Sequence, residues 1–238
     1  MYPESDAAGG LGNALNVEFI KLNSCLKILS NNSLDKMPFP HSVVKRGKKF
    51  SQIYLAANER LYLPDFWKEG VCLAQGKTSK LPDLARALDF WLCQDVTTQE
   101  LAAAFSFITP TDSAVAFDEN SEVDFTWRRI QADESRADLK AFVDLAIRDD
   151  VLSKLFPFTS RFTLCFSRCT GYPYTYDTPT VTPTGRSLFR GYQYEVRLPG
   201  HKVVGRGSAA EALALVKAHL PPGIKPAVKG TAQDVLKS

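Results

Sequence analysis

The sequence lacks several features by which catalytic and metal-binding proteins are commonly recognised. Its three histidines, His41, His201 and His219, show no HxH or HxxxH spacing, so a histidine-rich metal site is not expected. Gly76-Lys77-Thr78 has Val71 where a P-loop needs its first glycine. There is also no GxSxG nucleophile elbow. The sequence therefore predicts no catalytic residue, no metal ligand and no cofactor.

Cysteine is sparse, and its distribution bears on the compartment. The five cysteines are Cys25, Cys72, Cys93, Cys165 and Cys169. Five is an odd number and no CxxC pair occurs, whereas secreted disulfide scaffolds are short and rich in cysteine. No signal peptide pattern opens the chain, and no window approaches the ~20 apolar residues that cross a bilayer. We therefore expect a cytoplasmic protein with reduced thiols and no membrane partner.

Neither sign of charge dominates the sequence. The chain has 29 basic and 26 acidic residues, for a formal net charge of +3. Nucleic-acid-binding proteins usually carry a stronger basic excess. The one dense basic run is Lys45-Arg46-Gly47-Lys48-Lys49, which we interpret as a solvated turn before a strand rather than a phosphate-binding patch. A weak nucleic-acid binder is therefore only the third hypothesis for function.

Helical and strand patterns succeed one another along the whole chain. Apolar residues at helical spacing predict helices near 13–30, 81–92, 97–108, 135–149 and 208–220. Runs of β-type residues between turn signals predict strands at 50–57, 60–63, 71–74, 161–167 and 192–198. Pro199-Gly200 predicts a hairpin turn into 201–205, and the alternation at Val123–Trp127 favours a strand. These patterns predict an α+β fold, with mostly antiparallel strands covered on one face by helices.

The organisation of the chain is predicted in four segments. Residues 1–49 form a loose N-terminal tail, a helix and a connector; 50–156 form a strand group with helices; 157–223 form a β-rich module with a C-terminal helix; and 224–238 form an extended tail. A similar strand–Gly–strand–Gly–helix order occurs at 60–92 and 192–220, so two similar lobes are an option. Ordinary β-to-α junctions explain that likeness better than a duplication.

A loop rich in tyrosine and proline, residues 171–185, is the candidate binding surface. It contains Tyr172-Pro173-Tyr174-Thr175-Tyr176-Asp177. Prolines stiffen a loop, while tyrosine and arginine are typical of binding hot spots. The predicted partner-binding residues are Arg168, Tyr172, Tyr174, Tyr176 and Arg186. The alternative, which the pattern alone slightly favours, is that the tyrosines cover the edge of the sheet.

Several short sequence motifs resemble those of an uncharacterised bacterial family. They are Leu155-Phe156-Pro157-Phe158-Thr159-Ser160, Leu164-Cys165-Phe166-Ser167-Arg168, Tyr172-Pro173, Gly191-Tyr192, Glu211-Ala212, Leu220-Pro221-Pro222-Gly223 and Gly230-Thr231-Ala232. The family is best known from actinobacteria and is loosely labelled as associated with natural-product biosynthesis. The resemblance extends roughly from Trp67 to Ala232, and it implies membership without implying any catalytic residue.

Two main hypotheses for function follow. The first is a non-catalytic binding or accessory protein, immunity-like or serving a biosynthetic pathway, that recognises a protein or peptide through the tyrosine- and proline-rich loop and the sheet edge. The second is an enzyme of a natural-product, peptide-modifying pathway. That second hypothesis requires a pocket that gathers Arg161, Arg168, Cys165 or His201 within hydrogen-bonding reach of one another.

Overall fold

The chain folds into two units, Met1–Asp118 and Glu119–Ser238, each built on a five-stranded antiparallel sheet. This computed structural model describes residues 1–28, 41–187 and 191–237. Within those ranges helices pack against both sheets, which confirms the α+β class. None of the helices described is long and apolar enough to cross a membrane.

The first unit places helices before and after its sheet. Neighbouring strands follow chain order: β1 (His41–Arg46), β2 (Lys49–Leu55), β3 (Tyr62–Lys68), β4 (Val71–Gly76) and β5 (Ile108–Pro110). The helices are α1 (Pro3–Ala8), α2 (Leu11–Lys21), α3 (Leu81–Cys93), α4 (Thr98–Ala104) and α5 (Ala114–Asp118). The core forms where one face of the strands, including Ile53 and Phe66, meets the apolar stripe of α3, including Leu88.

The second unit repeats the general arrangement. Its strands, again neighbours in chain order, are β6 (Phe156–Ser160), β7 (Thr163–Ser167), β8 (Thr180–Ser187), β9 (Gly191–Arg197) and β10 (Val203–Gly207). Its helices are α6 (Glu122–Ala132), α7 (Ala137–Ala146), α8 (Ala209–Ala218) and α9 (Ala232–Val235). Phe142 of α7 and Val216 of α8 pack with Phe166 and Tyr194 of the sheet. We call this helix-covered side of the sheet the inner face and the opposite side the outer face.

The N-terminal residues are ordered, contrary to the predicted loose tail. Tyr2 is buried, and its hydroxyl oxygen lies within hydrogen-bonding distance of the backbone carbonyls of Ala56 and Leu61, at 2.8 and 2.9 Å. An aromatic ring with a polar end can anchor a chain terminus in this way, because it buries apolar area while its hydroxyl stays paired. The helix predicted over 13–30 is α2, which ends at Lys21, shortly before Asn23 adopts a φ of 52°. Residues 29–40, part of the predicted helix and connector, lie outside the described residues.

The strand predicted at Val123–Trp127 is wrong, because these residues belong to helix α6. Alternation over only five residues fits both periods, since Val123 and Trp127 are also one helical turn apart. Trp127 is buried, and its indole Nε1 donates to the carbonyl of Leu155 at 3.1 Å. A buried tryptophan that faces one core is equally compatible with a helix.

The predicted segment boundaries differ from those of the two units. The segment 50–156 includes residues of both units, because α6 and α7 contribute Trp127 and Phe142 to the second core. The tyrosine- and proline-rich loop is shorter than predicted, since residues from Thr180 onward form β8. The predicted extended tail ends in α9, which Thr231 and Asp234 cap reciprocally.

The side chains of the basic run at 45–49 lie in two environments, solvent and the first core. Lys48 pairs with Glu69 at 2.8 Å, as a solvated turn residue can. Lys49, however, is only 8% exposed, and its Nζ donates to the carbonyls of Trp91 and Gln94 at 3.1 and 3.0 Å. These carbonyls lie at the C-terminal end of α3, where a cation is favoured. Burial lowers the pKa of Lys49, and its position removes it from any phosphate-binding patch.

Candidate binding site on the outer face of the second sheet

A groove of about 700 Å³ opens on the outer face of the second sheet. Its floor is formed by strands β7 and β8 and the end of β9, and its walls by the β6–β7 turn, the β9–β10 turn and the loop after β7. The lining residues are Ser160, Arg161, Phe162, Thr163, Cys165, Phe166, Thr175, Tyr176, Thr178, Thr180, Thr182, Arg197, Leu198, Pro199, Gly200 and His201. This set contains two arginines and a histidine but no carboxylate.

Strand alternation gives the floor of the groove its hydroxyl groups. Leu164 and Val181 face the inner core and pair across β7 and β8, so Thr163 and Thr182 fall on the outer face. Their hydroxyl oxygens lie 2.8 Å apart and share a hydrogen bond. The floor is therefore a polar surface that can both donate and accept hydrogen bonds.

The positive charge of the groove is carried at its rim and at the end of β9. Arg161 is exposed in the β6–β7 turn, where its φ is 54°. Arg197 donates from Nε to Glu195 at 2.5 Å, and Arg206 donates to the same carboxylate at 2.6 Å. Both hydrogen bonds lower the pKa of Glu195, and the bond from Arg206 has the larger effect. Because one buried carboxylate is shared by two guanidinium groups, excess positive charge remains beside the groove.

The tyrosines of the loop divide into one covered ring and two exposed rings. Tyr174 stacks on Phe158 with ring centroids 4.4 Å apart, and burial raises its pKa. Tyr172 and Tyr176 are 62% and 60% exposed. Tyr176 also lines the groove and meets Phe158 edge-on at 5.7 Å. One ring thus covers the sheet, and its two neighbours face solvent.

Buried hydroxyl groups fix the loop, residues 168–179, against the sheet. Ser167 Oγ accepts hydrogen bonds from the backbone N–H groups of Cys169 and Thr175 at 3.0 and 3.2 Å. Thr175 Oγ1 accepts from the backbone of Arg168 at 2.9 Å, and Thr178 Oγ1 donates to the carbonyl of Phe166 at 2.7 Å. These bonds preorganise the segment that presents the exposed tyrosines.

The C-terminal residues support the same loop from another side. The backbone N–H of Gly171 donates to Gly230 at 2.7 Å, and that of Ala232 donates to Pro173 at 2.8 Å. Cys169 and Val228 also form a parallel β-bridge. The tail is thus part of the structure that positions the tyrosines.

The structure brings together some of the predicted site residues and separates others. Tyr172, Tyr174 and Tyr176 share one ring cluster beside the groove. Arg168 instead pairs with Asp177 at 2.5 Å inside the loop and does not line the groove. The side chain of Arg186 lies outside the described residues.

Sequence reasoning missed the threonine floor and Arg197 as parts of one site. Thr163, Thr180 and Thr182 occupy strand positions that alternate with buried apolar residues. That alternation was a usable signal for β7, but the strand β8 was not predicted. Arg197 enters the site because β9 pairs with β8, a contact between residues distant in sequence.

The groove contains three of the four residues that the enzyme hypothesis names. It gathers Arg161, Cys165 and His201, while Arg168 lies elsewhere. Burial raises the pKa of Cys165 to about 11, so this thiol is protonated at neutral pH and is a poor nucleophile. Cys165 contacts the carbonyl of Thr163 rather than His201. Within the residues the structure describes, no cluster of three or more histidine, cysteine, aspartate or glutamate side chains could hold a metal ion.

Comparison with known proteins gives a family match for the second unit. Residues 121–231 match the model of a family described as "Family of unknown function (DUF6193)". All the residues that line the groove fall within this range. No curated protein and no solved structure matches the chain significantly. The part of the chain that carries the candidate site is therefore similar to an uncharacterised family.

Proposed function

We propose that the protein is a binding or accessory protein whose second unit binds an extended, acidic segment of a partner protein or peptide. The segment occupies the groove on the outer face, and Tyr172 and Tyr176 contact it from the rim. The observation that carries the proposal is the composition of the groove, whose lining has two arginines, a histidine, the exposed Tyr176 and no carboxylate. The exposed Tyr172 belongs to the adjoining ring cluster.

The charge of the groove favours an acidic partner. Arg161 is exposed, so its guanidinium can meet a carboxylate in the paired geometry that arginine favours. The neighbouring Glu195 already accepts from Arg197 and Arg206, so it offers little repulsion to an incoming anion. Such charge arrangements favour acidic partners and reject basic ones.

The rim supports protein or peptide recognition because it is aromatic and held in place. Tyrosine and arginine are the side chains most enriched at binding hot spots. The hydrogen bonds of Ser167 and Thr175 fix the loop before a partner arrives, so little ordering cost remains for binding. A groove of about 700 Å³ accommodates a few residues of extended chain.

Two matched peptide pools test this proposal. One pool contains random dodecamers rich in aspartate and glutamate, and the other carries asparagine and glutamine at the same positions. The full chain is expected to bind the acidic pool more tightly, and added salt is expected to weaken that binding. Equal binding of both pools would contradict the proposal.

A pair of charge variants assigns the binding to the groove. Arg161→Gln is expected to weaken binding of the acidic pool on the order of tenfold, because a charge-assisted hydrogen bond is lost. The control is Lys140→Gln, which removes an exposed cation that pairs with Asp144 on α7. If both variants bind like the unmodified chain, the groove is not the site.

A second candidate is an enzyme of a peptide-modifying pathway, favoured by the presence of Arg161, Cys165 and His201 in one groove. Its nucleophile would be Cys165, whose pKa burial raises. Alkylation by iodoacetamide at neutral pH distinguishes the candidates. Modification of Cys165 faster than that of glutathione would favour the enzyme, and slower modification would favour the binding protein.

A further inference from the structure

Two cysteines of the first unit lie close enough to react with each other. Cys25 follows helix α2, Cys93 is the last residue of α3, and their sulfur atoms are 3.0 Å apart. A disulfide bond measures about 2.05 Å, so a sulfur shift on the order of one ångström would join them. Both thiols are free in this structure.

The surroundings of the two thiols give them different chemical roles. Cys25 is exposed, and the guanidinium of Arg46 donates to its Sγ at 3.0 Å. Because Cys25 is open to solvent, it is the sulfur of the pair that a dissolved oxidant reaches first. Cys93 is less accessible, and burial raises its pKa to about 11. Cys93 is therefore protonated at neutral pH and is the second sulfur of the pair to react.

The remaining cysteines are poor competitors for an oxidant. Cys169 is fully buried. Burial raises the pKa of Cys72 to about 12 and that of Cys165 to about 11. Oxidation also requires access to solvent, and Cys25 is exposed, so it is the preferred first target.

We propose that Cys25 and Cys93 form a modification site at which a peroxide reversibly creates an intramolecular disulfide. The sulfur of Cys25 attacks one oxygen of hydrogen peroxide and breaks the O–O bond, which yields a sulfenic acid. The other oxygen takes up the thiol proton and leaves as water. The sulfur of Cys93 then displaces the sulfenic oxygen, which leaves as water when the thiol proton is included. In total, two thiols and one peroxide give one disulfide and two waters, and a dithiol reductant reverses the change.

The same pair is better suited to disulfide formation than to holding a metal ion. A soft metal needs further ligands beyond two thiolates. Asp89, which interacts with Cys93, accepts a hydrogen bond from Ser24 Oγ, and no metal-binding cluster occurs among the residues described. Two sulfurs in contact and an adjacent guanidinium therefore favour redox chemistry.

Intact mass and peptide mapping of the full chain test the site. One equivalent of hydrogen peroxide is expected to remove two hydrogen atoms from the protein and to link the Cys25 peptide to the Cys93 peptide. Dithiothreitol should restore the original mass. Oxygen addition at Cys25 without a linked peptide would overturn the proposal.

Single serine variants supply the controls. Cys25→Ser and Cys93→Ser are each expected to abolish the two-hydrogen loss, whereas Cys72→Ser should leave it unchanged. Circular dichroism of each variant establishes that the fold is retained. A link that persists in Cys93→Ser would mean that Cys25 pairs with a different cysteine, and the assignment would be wrong. The same reaction in urea should lose its preference for this pair, since that preference derives from the fold.

Discussion

The two faces of the second sheet are built from alternate residues of the same strands, yet they have opposite chemistry. The inner face presents Leu164, Phe166 and Tyr194 to the helices, and these residues are fully or almost fully buried. The outer face presents Thr163, Cys165 and their neighbours to an open groove. Because side chains alternate along a strand, one segment can serve stability on one side and recognition on the other.

The two sheets differ in the connections between their strands, and this difference explains why the outer face of the second sheet carries a candidate site. In the first unit, the connections among the first four strands are short, at 47–48, 56–61 and 69–70, and the long connection from β4 to β5, residues 77–107, is occupied by helices α3 and α4. In the second unit, β7 and β8 are joined by the longer segment 168–179, which carries the exposed tyrosines. Binding residues commonly lie on loops that a rigid scaffold supports. Both sheets are five-stranded and antiparallel, so the loop 168–179 is the feature that distinguishes the second unit.

The largest loss of stability is expected when an aromatic ring is removed from the inner face. Phe142 is fully buried, with its ring centroid 5.8 Å from that of Tyr194 and 6.4 Å from that of Phe166. Phe142→Ala is expected to lower the free energy of unfolding by about 3–5 kcal/mol, because it leaves a cavity. Urea denaturation measures this change. The control Phe162→Ala alters a ring that is 72% exposed and should change stability by less than about 0.5 kcal/mol.

A smaller loss of stability is expected when the hydroxyl of Ser167 is removed from the outer face. Ser167→Ala removes the acceptor for the N–H groups of Cys169 and Thr175, and should cost about 1–3 kcal/mol. Urea denaturation gives the cost, and proteolysis within 168–179 should become faster as the loop loosens. Ser160→Ala is the matched control, since Ser160 is exposed at the groove rim. Equal behaviour of the two variants would mean that the hydroxyl network does not hold the loop.

Elements specified by neighbouring residues could be predicted from the sequence. The helices α4 and α8 begin at capping boxes, Thr97 with Glu100 and Ser208 with Glu211, which can be read from residue types three positions apart. The predicted turn at Pro199-Gly200 between β9 and β10 is confirmed. These features depend on residues within one helical turn or one hairpin, so the pattern alone suffices. The order of Tyr2 could not be predicted in this way, because its partners lie more than fifty residues away.

The candidate site was predictable only as separate pieces. The tyrosines stand together in sequence and were proposed as a group, but their division into covered and exposed rings depends on Phe158 of β6. The pairing of Thr163 with Thr182 and the arrival of Arg197 depend on strand register. Register follows from the packing of the whole sheet, which one local pattern does not determine.

Replacement of Glu195 tests whether charge on the outer face contributes to the free energy of unfolding. Its folded-state pKa is lowered, so its contribution is present above its unfolded pKa of about 4.3 and is lost as pH falls through the folded value. Glu195→Gln should cost at most about 1 kcal/mol at pH 7, because both arginines are partly exposed and solvent screens the pairs. Urea denaturation at pH 7, 5 and 3 measures the difference, which should shrink at the lowest pH. Glu134→Gln, at an exposed site of the same unit, should show no such pH dependence.

The smallest effect on stability, combined with a clear effect on binding, is expected at Tyr172. Its ring is mostly exposed and forms a T-shaped contact with Tyr174, so Tyr172→Ser should change the free energy of unfolding by less than about 0.5 kcal/mol. The same variant should weaken binding of the acidic peptide pool on the order of tenfold, as loss of an aromatic hot spot does. Tyr174→Ser provides the comparison, since loss of its stack on Phe158 should destabilise the fold by about 1 kcal/mol. If Tyr172→Ser destabilises the fold as much as Tyr174→Ser and leaves peptide binding unchanged, the exposed ring serves the sheet, and the outer face is not divided between support and recognition.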